Sequence, residues 1–269
     1  EDQSCFTWRI LREDSGRIGS EKMDEKGNLK IMPAGDRGMV AEFGNVISIQ
    51  INDQVQQLKK CLSNEQIQGV LELQPTFRSL MIYYDPLKIS YEELEKRVRI
   101  LGSAETLKNH KKKRILKIPC CYGARFGLDL RDMEKHTGLD RDEIIAIHSS
   151  VDYRIYMMGF LPGFVYLGGL DSRIEMPRLS TPRVKIPAGA VGIGGNQTGV
   201  YPVASPGGWR LIGGTPVEFY DAGRQEPILC RAGEYIRFVP VSLDDYYDIR
   251  RMIVKGEYTI DILEEEGEQ

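Results

Sequence analysis

The sequence predicts an α+β protein in two folded parts, a small ferredoxin-like split-βαβ domain followed by a closed or nearly closed β-barrel. Three observations predict this. Between Leu29 and about Ile118 the apolar residues switch between strand and helix spacing in the order β-α-β-β-α-β. From Val151 to Pro240 no helical period survives, and short apolar stretches alternate with Gly and Pro turns. The chain of 269 residues, 41% hydrophobic and 28% charged, is long enough for two ordinary globular domains.

Residues 1–27 are polar, mixed in charge and without a period, and read as an N-terminal extension. Met23, followed by Asp24-Glu25-Lys26-Gly27-Asn28, looks like a natural start, which would make residues 1–22 an upstream addition. The small domain is assigned to residues 28–112 and the barrel domain to 113–269. A short strand is expected from Leu29 to Met32, and Met39 to Phe43 forms the next. Ile51, Val55, Leu58 and Leu62 recur at helical spacing, and Val70, Leu71 and Leu73 suggest a strand. Arg78 to Tyr84 alternates and ends at the Asp85-Pro86 turn. Ser90 and Glu93 have capping-box spacing for a helix through Leu94, Val98 and Leu101, which Gly102 closes. Ile115 to Ile118 is expected to be the last strand of this module. Two short helices follow, Asp129 to Thr137, stopped by Gly138, and one opened by Asp140 that runs through Ile147. A last helix covers Leu243 to Val254 ahead of an acidic tail.

Several function classes are excluded. No apolar run approaches the roughly 18 residues of a membrane span, and no signal peptide opens the chain, which predicts a soluble cytoplasmic protein. A net charge of −3 argues against nucleic-acid binding. The run Lys111-Lys112-Lys113-Arg114 reads as a solvated linker or strand start. Five cysteines without framework spacing fit a reducing compartment, and three scattered histidines have no metal-ligand spacing.

The chemistry is expected between Gly159 and Gly214, which hold 13 of the 28 glycines and six of the 13 prolines. Such loops are rigid, approach ligands closely and present backbone N–H groups. Gly194-Gly195-Asn196-Gln197-Thr198-Gly199 lacks the Lys of a Walker loop, so a nucleotide site here would be unconventional or shared with a partner. Gln197, Thr198 and Ser205 can orient a polar ligand, and Ser205 has no nucleophile frame. Arg154, Arg183 and Arg210 are the cations near these loops, suited to a carboxylate or phosphate or else to surface ion pairs. Phe160, Phe164, Tyr166, Tyr201 and Trp209 line a groove or belong to the core. Pro162, Gly163, Gly194, Gly195, Gly199, Gly207 and Gly208 shape the candidate binding loops. His148 either caps a helix C-terminus or takes part in catalysis.

Taken in order, these stretches resemble the family of 5-oxoprolinase B subunits, also called KipI or allophanate hydrolase subunit 1. The resemblance is carried by Gly35-Asp36-Arg37-Gly38, Tyr84-Asp85-Pro86, Cys121-Tyr122-Gly123, His148-Ser149, the run Tyr156 to Leu170, Thr181-Pro182-Arg183, Ile186 to Gly189 and the run Gln197 to Gly213. It covers about Leu29 to Pro240. It implies a cyclophilin-like barrel and a partnership with two other subunits of the enzyme, a homologous C subunit and an A subunit. It also implies ATP-dependent cleavage of the lactam 5-oxoproline to glutamate, with ATP, accompanied by magnesium, as co-substrate, although no metal ligands are readable in this chain. His148, Arg154, Gln197 and Arg210 are the catalytic candidates. The same resemblance carries two other readings, an inhibitor of a sensor histidine kinase and a component of allophanate hydrolase.

Overall fold

The computed structural model describes residues 29–103 and 113–265. The expected N-terminal extension and the first half of the basic run, Lys111 and Lys112, lie outside them. The first unit contains β1 (Lys30–Pro33), β2 (Gly38–Glu42), α1 (Ile49–Glu65), β3 (Val70–Pro75), β4 (Ser79–Tyr84) and α2 (Tyr91–Leu101). Its strands form an antiparallel sheet in the order β1-β2-β4-β3. One face buries Met39, Ala41, Leu80 and Ile82 against Val55, Leu58 and Leu62 of α1 and Leu94 and Val98 of α2. The helix starts follow from their caps. Ser48 accepts the Ile51 N–H at 3.2 Å, and Ser90 accepts that of Glu93 at 3.1 Å. The carboxylate of Glu93 pairs with Arg97 one turn on.

The strand at Ile115 to Ile118 does not close this sheet. Those residues belong to β5 (Lys113–Tyr122), which lies in the second unit, and β1 takes the place beside β2. The reason is local. Gly35 in the left-handed region and the Ala34 N–H to Gly38 C=O bond of 2.8 Å fold β1 straight back on β2. β5 in turn buries six of its ten residues and exposes none fully, as suits a strand with neighbours on both sides.

The second unit is a closed barrel. β6 (Asp152–Met158), β7 (Val165–Gly168), β9 (Ala190–Gly194), β10 (Gln197–Val200), β12 (Arg210–Gly214) and β13 (Tyr235–Pro240) join β5 in the ring β12-β9-β10-β7-β6-β13-β5. Gly213 opposite Tyr122 and Gly214 opposite Cys121 close it. The β13–β5 pair is parallel and the others are antiparallel. β8 (Arg183–Ile186) and β11 (Ser205–Gly207) form a separate two-stranded sheet, and β14 (Ile262–Glu265) pairs with the start of β5. Inward residues such as Ile155, Val165, Leu167, Val191, Ile193, Ile212 and Phe238 fill the barrel. Helices α3 (Leu130–Thr137) and α4 (Arg141–Ser149) contribute Met133 and Ile144 to this core, and α5 (Leu243–Lys255) follows β13.

Candidate functional site

The Gly/Pro-rich segment builds one aromatic cluster. Phe164, Tyr201 and Trp209 are buried and meet edge-to-face, with Phe164–Trp209 centroids at 5.6 Å and Phe164–Tyr201 at 5.2 Å. The indole of Trp209 lies on a floor of glycines. A Cβ at Gly194 would stand 2.5 Å from its Nε1, and one at Gly199 would be 3.0 Å from its Cζ3 and 2.6 Å from the Val165 carbonyl. Gly207 makes room for the Tyr201 hydroxyl in the same way. Much of the close approach that these glycines permit is therefore to protein rings. Gly195, with φ +67°, turns the exposed β9–β10 tip, and nothing lies near its missing side chain. Gly208 is in ordinary contact distance of its surroundings.

The β6–β7 loop runs past this cluster. Phe160 is 62% exposed with φ +69°, a backbone region that costs a bulky residue about 1–3 kcal/mol. Its ring stands edge-on to Phe164 at 5.7 Å. Pro162 is exposed at the loop tip. Gly163, with φ +79°, packs where a Cβ would sit 2.8 Å from the Phe219 carbonyl.

Arginines rim the cluster. Arg183 Nη2 donates to Asp129 Oδ1 at 2.8 Å, and its Nη1 donates to the Trp209 carbonyl at 3.4 Å. Arg210 donates to Asp132 at 3.2 Å and to the Pro177 carbonyl at 3.3 Å, with Asp129 3.7 Å away. Asp129 is buried, and its other oxygen accepts the Leu211 N–H at 2.6 Å. The Arg178 guanidinium stands 5.8 Å from the Trp209 ring centroid. Burial pushes the Tyr166 and Tyr201 phenols up, and Arg178 opposes this at both. The arginine side chains at 183 and 210 are thus fixed before any ligand arrives. Arg210 pairs with Ile193 of β9, and Gln197 pairs with the next residue of that strand, Gly194, from its other side. Ser205 pairs with Ile186 of the aromatic cluster. Its buried hydroxyl has no hydrogen-bond partner among the described residues.

His148 lies elsewhere, fully buried beneath the barrel wall. The Thr198 hydroxyl donates to the Gly192 carbonyl at 3.0 Å, so it accepts from His148 Nε2–H at 2.9 Å. That leaves Nδ1 to accept from the Tyr122 hydroxyl at 2.7 Å. Burial lowers the His148 pKa to about 3, so the ring is neutral. Thr198 is thereby a link between strands and does not reach the loop surface. Arg154 also points away from the cluster. Its guanidinium donates to Asn52 Oδ1 at 3.1 Å, to the Tyr235 hydroxyl at 3.0 Å and to Asp53 at 2.6 Å, which joins the barrel to α1.

The predicted residues therefore fall into two sets. Gln197, Arg210, Trp209, Tyr201, Ser205, Gly194, Gly195, Gly199, Gly207, Gly208 and the Phe160–Gly163 loop share one region. His148 with Thr198, and Arg154, serve inside the barrel and between the units. Asp129, Asp132 and Arg178 complete the region, and no sequence motif marks them. Asp129 stands 54 residues from Arg183 and 82 from Leu211, so no local pattern joins them. Two clefts, of about 520 Å³ between α1 and β3 and about 360 Å³ beside β14, contain none of the predicted residues. No group of three or more His, Cys, Asp or Glu side chains among the described residues is placed to hold a metal.

Residues 29–230 match the family model of the carboxyltransferase domain, subdomain C and D. The chain is 41% identical to the B subunit of 5-oxoprolinase from Bacillus subtilis over 230 residues, 81% of this chain and 95% of that protein. This chain belongs to the family of 5-oxoprolinase B subunits. Among solved structures, the family member resembles TTHA0988 with a TM-score of 0.69 at 33% identity, over 77% of this chain. It spans only 40% of TTHA0988, which thus contains a further large portion. The Kluyveromyces lactis urea carboxylase shares the fold, with a TM-score of 0.74 over 91% of this chain and 24% of that one, at 23% identity. No helix among the described residues is long and apolar enough to cross a membrane.

Proposed function

We propose that this chain is the B subunit of an ATP-dependent 5-oxoprolinase, acting with the A and C subunits of that enzyme to open 5-oxo-L-proline to L-glutamate. The observation that carries the reading is the match across 95% of the Bacillus subtilis B subunit. The site chemistry supports it. A five-membered lactam is a poor electrophile, and phosphorylation of its oxygen by ATP makes the carbonyl open to water. Such a reaction needs positioning and charge stabilisation, not a protein nucleophile. The rim of Arg183 and Arg210, fixed by Asp129, suits the substrate carboxylate or a phosphoryl oxygen. Gln197 and the buried Ser205 hydroxyl, which has no hydrogen-bond partner among the described residues, are neutral hydrogen-bonding groups in the same region. The glycine loops lack Walker form, so a nucleotide site here is either unconventional or shared with a partner subunit.

The test is ADP release from the purified chain, alone and mixed with its A and C partners, with and without 5-oxoproline. The reading expects release only with the partners and the lactam together. No turnover in any mixture of folded partners would favour a regulatory binding protein, such as a sensor-kinase inhibitor. Within the active mixture, Arg210→Ala and Gln197→Ala are each expected to lower turnover about 10²-fold while the chain stays folded. Wild-type turnover in both variants removes these residues from the site.

A further inference from the structure

The groove between α1 and β3 is built differently from the aromatic site, and its chemistry points to another ligand. β3 is the last strand of its sheet and, among the described residues, pairs with β4 alone. Its outer edge therefore carries backbone donors and acceptors without a strand partner. Beside that edge runs a cleft of about 520 Å³, walled on one side by Lys59, Leu62, Ser63 and Gln66 and on the other by Val70 to Leu73. Leu71 is 56% exposed there, an apolar side chain left in water. Lys59 is half-buried in the wall, and among the described residues no carboxylate lies within ion-pair distance of it. Glu72, the one acidic side chain of the groove, makes no ion pair with it.

We propose that this groove binds an extended segment of a partner polypeptide, which adds to β3 as a fifth strand and sets an acidic side chain against Lys59. An exposed strand edge with a helix alongside is the geometry in which backbone hydrogen bonds supply affinity and a pocket supplies selectivity. The position of the lysine decides the chemistry of that pocket. Burial lowers the Lys59 pKa, so its charge has lost solvation that an anion would restore. Pro75 ends β3, and the register shift at Leu71, between Val70 and Glu72, interrupts its start, so the added strand is limited to the stretch Val70–Gln74 with its regular pairing at Glu72–Gln74. The proposal is independent of the oxoprolinase reading, because the groove shares no residue with the arginine-rimmed cluster.

The probe is an acetylated, amidated octapeptide of alternating valine and threonine with one central glutamate, titrated into the full chain by calorimetry and hydrogen exchange. One-to-one binding is expected, with slowed exchange at residues 70–74. Replacing the peptide glutamate by glutamine, or Lys59→Gln in the protein, is expected to weaken binding about tenfold. Lys60→Gln, one position along on the exposed side, leaves it unchanged. Absence of saturable binding, equal affinity for the two peptides, or protection confined to other segments overturns the proposal. Lys59-dependent binding of N-acetylglutamate with no peptide protection at 70–74 identifies an anion site only and equally overturns strand addition.

Discussion

At residue scale, Trp209 accounts for some of the glycines in the Gly/Pro-rich segment. Its indole rests where Cβ atoms at Gly194 and Gly199 would intrude. Gly194→Ala is expected to cost about 1–3 kcal/mol, because the ring is wedged and cannot retreat without disturbing Phe164 and Tyr201. Urea midpoints of the variant and the parent measure this, and an unchanged midpoint would mean that the floor is softer than the contacts imply. His148 makes a prediction about pH. Its folded pKa, about 3, lies below the ordinary histidine value near 6.5, so the unfolded chain takes up the proton first. The associated stability is complete above about pH 6.5 and declines by about 1 kcal/mol per pH unit as pH falls toward 3. His148→Gln should flatten that slope between about pH 6.5 and 4.5 in denaturation series, whereas a slope equal to the parent's assigns the acid sensitivity to other groups. The low folded pKa is not legible in the sequence. His148 reads there as a helix-end residue followed by two serines, and nothing nearby announces Tyr122 or Thr198 as its partners.

At the scale of elements, sequence and structure agree most where a local interaction is enough. The α4 start is one case. Asp140 accepts the Glu143 N–H at 2.8 Å, and the Glu143 carboxylate accepts that of Asp140 at 2.9 Å, a closed capping box at the predicted position. Asp140→Ala is expected to destabilise the protein by about 1 kcal/mol, read as a lower midpoint in thermal or urea unfolding, with Asp140→Ser retaining most of the cap. α5 likewise begins at a Ser242–Asp245 box, within a residue of the expected start. Asp129 is the contrasting case. Its place before a helix suggests a cap, yet its side chain makes no capping bond and turns instead to Arg183 and the Leu211 N–H. β5 differs for a related reason. A short apolar strand shows its own period but not its neighbours, and here the local β1–β2 hairpin fills the place expected for it.

At the scale of the whole molecule, Asn52 joins the two units. Its amide nitrogen donates to the Thr76, Phe77 and Tyr156 carbonyls at 3.2, 3.2 and 3.0 Å, and its oxygen accepts from Arg154. Phe77 packs near Tyr156 on the same seam, with ring centroids 5.6 Å apart. Asn52→Ala should cost about 1–3 kcal/mol and let the small unit open before the barrel. Hydrogen exchange tests this: α1 and β4 segments of the variant should exchange ahead of β6 and β13, and simultaneous exchange would place the coupling elsewhere. Arg154 shows how far a linear reading goes with such a residue. It lies near the loops in the chain and has the chemistry to bind a ligand, but Asn52 and Asp53, about a hundred positions away, take its donors. Short-range signals were enough for the α+β class, the helix starts, the glycine-rich segment and the family, because caps, periods and contiguous motifs are written in neighbouring residues. The folded chain was needed to learn how the barrel closes, which arginines rim the aromatic cluster, and that His148 and Arg154 are held inside. Those outcomes rest on contacts between residues tens to a hundred positions apart, which the alternation of side chains along a strand does not encode.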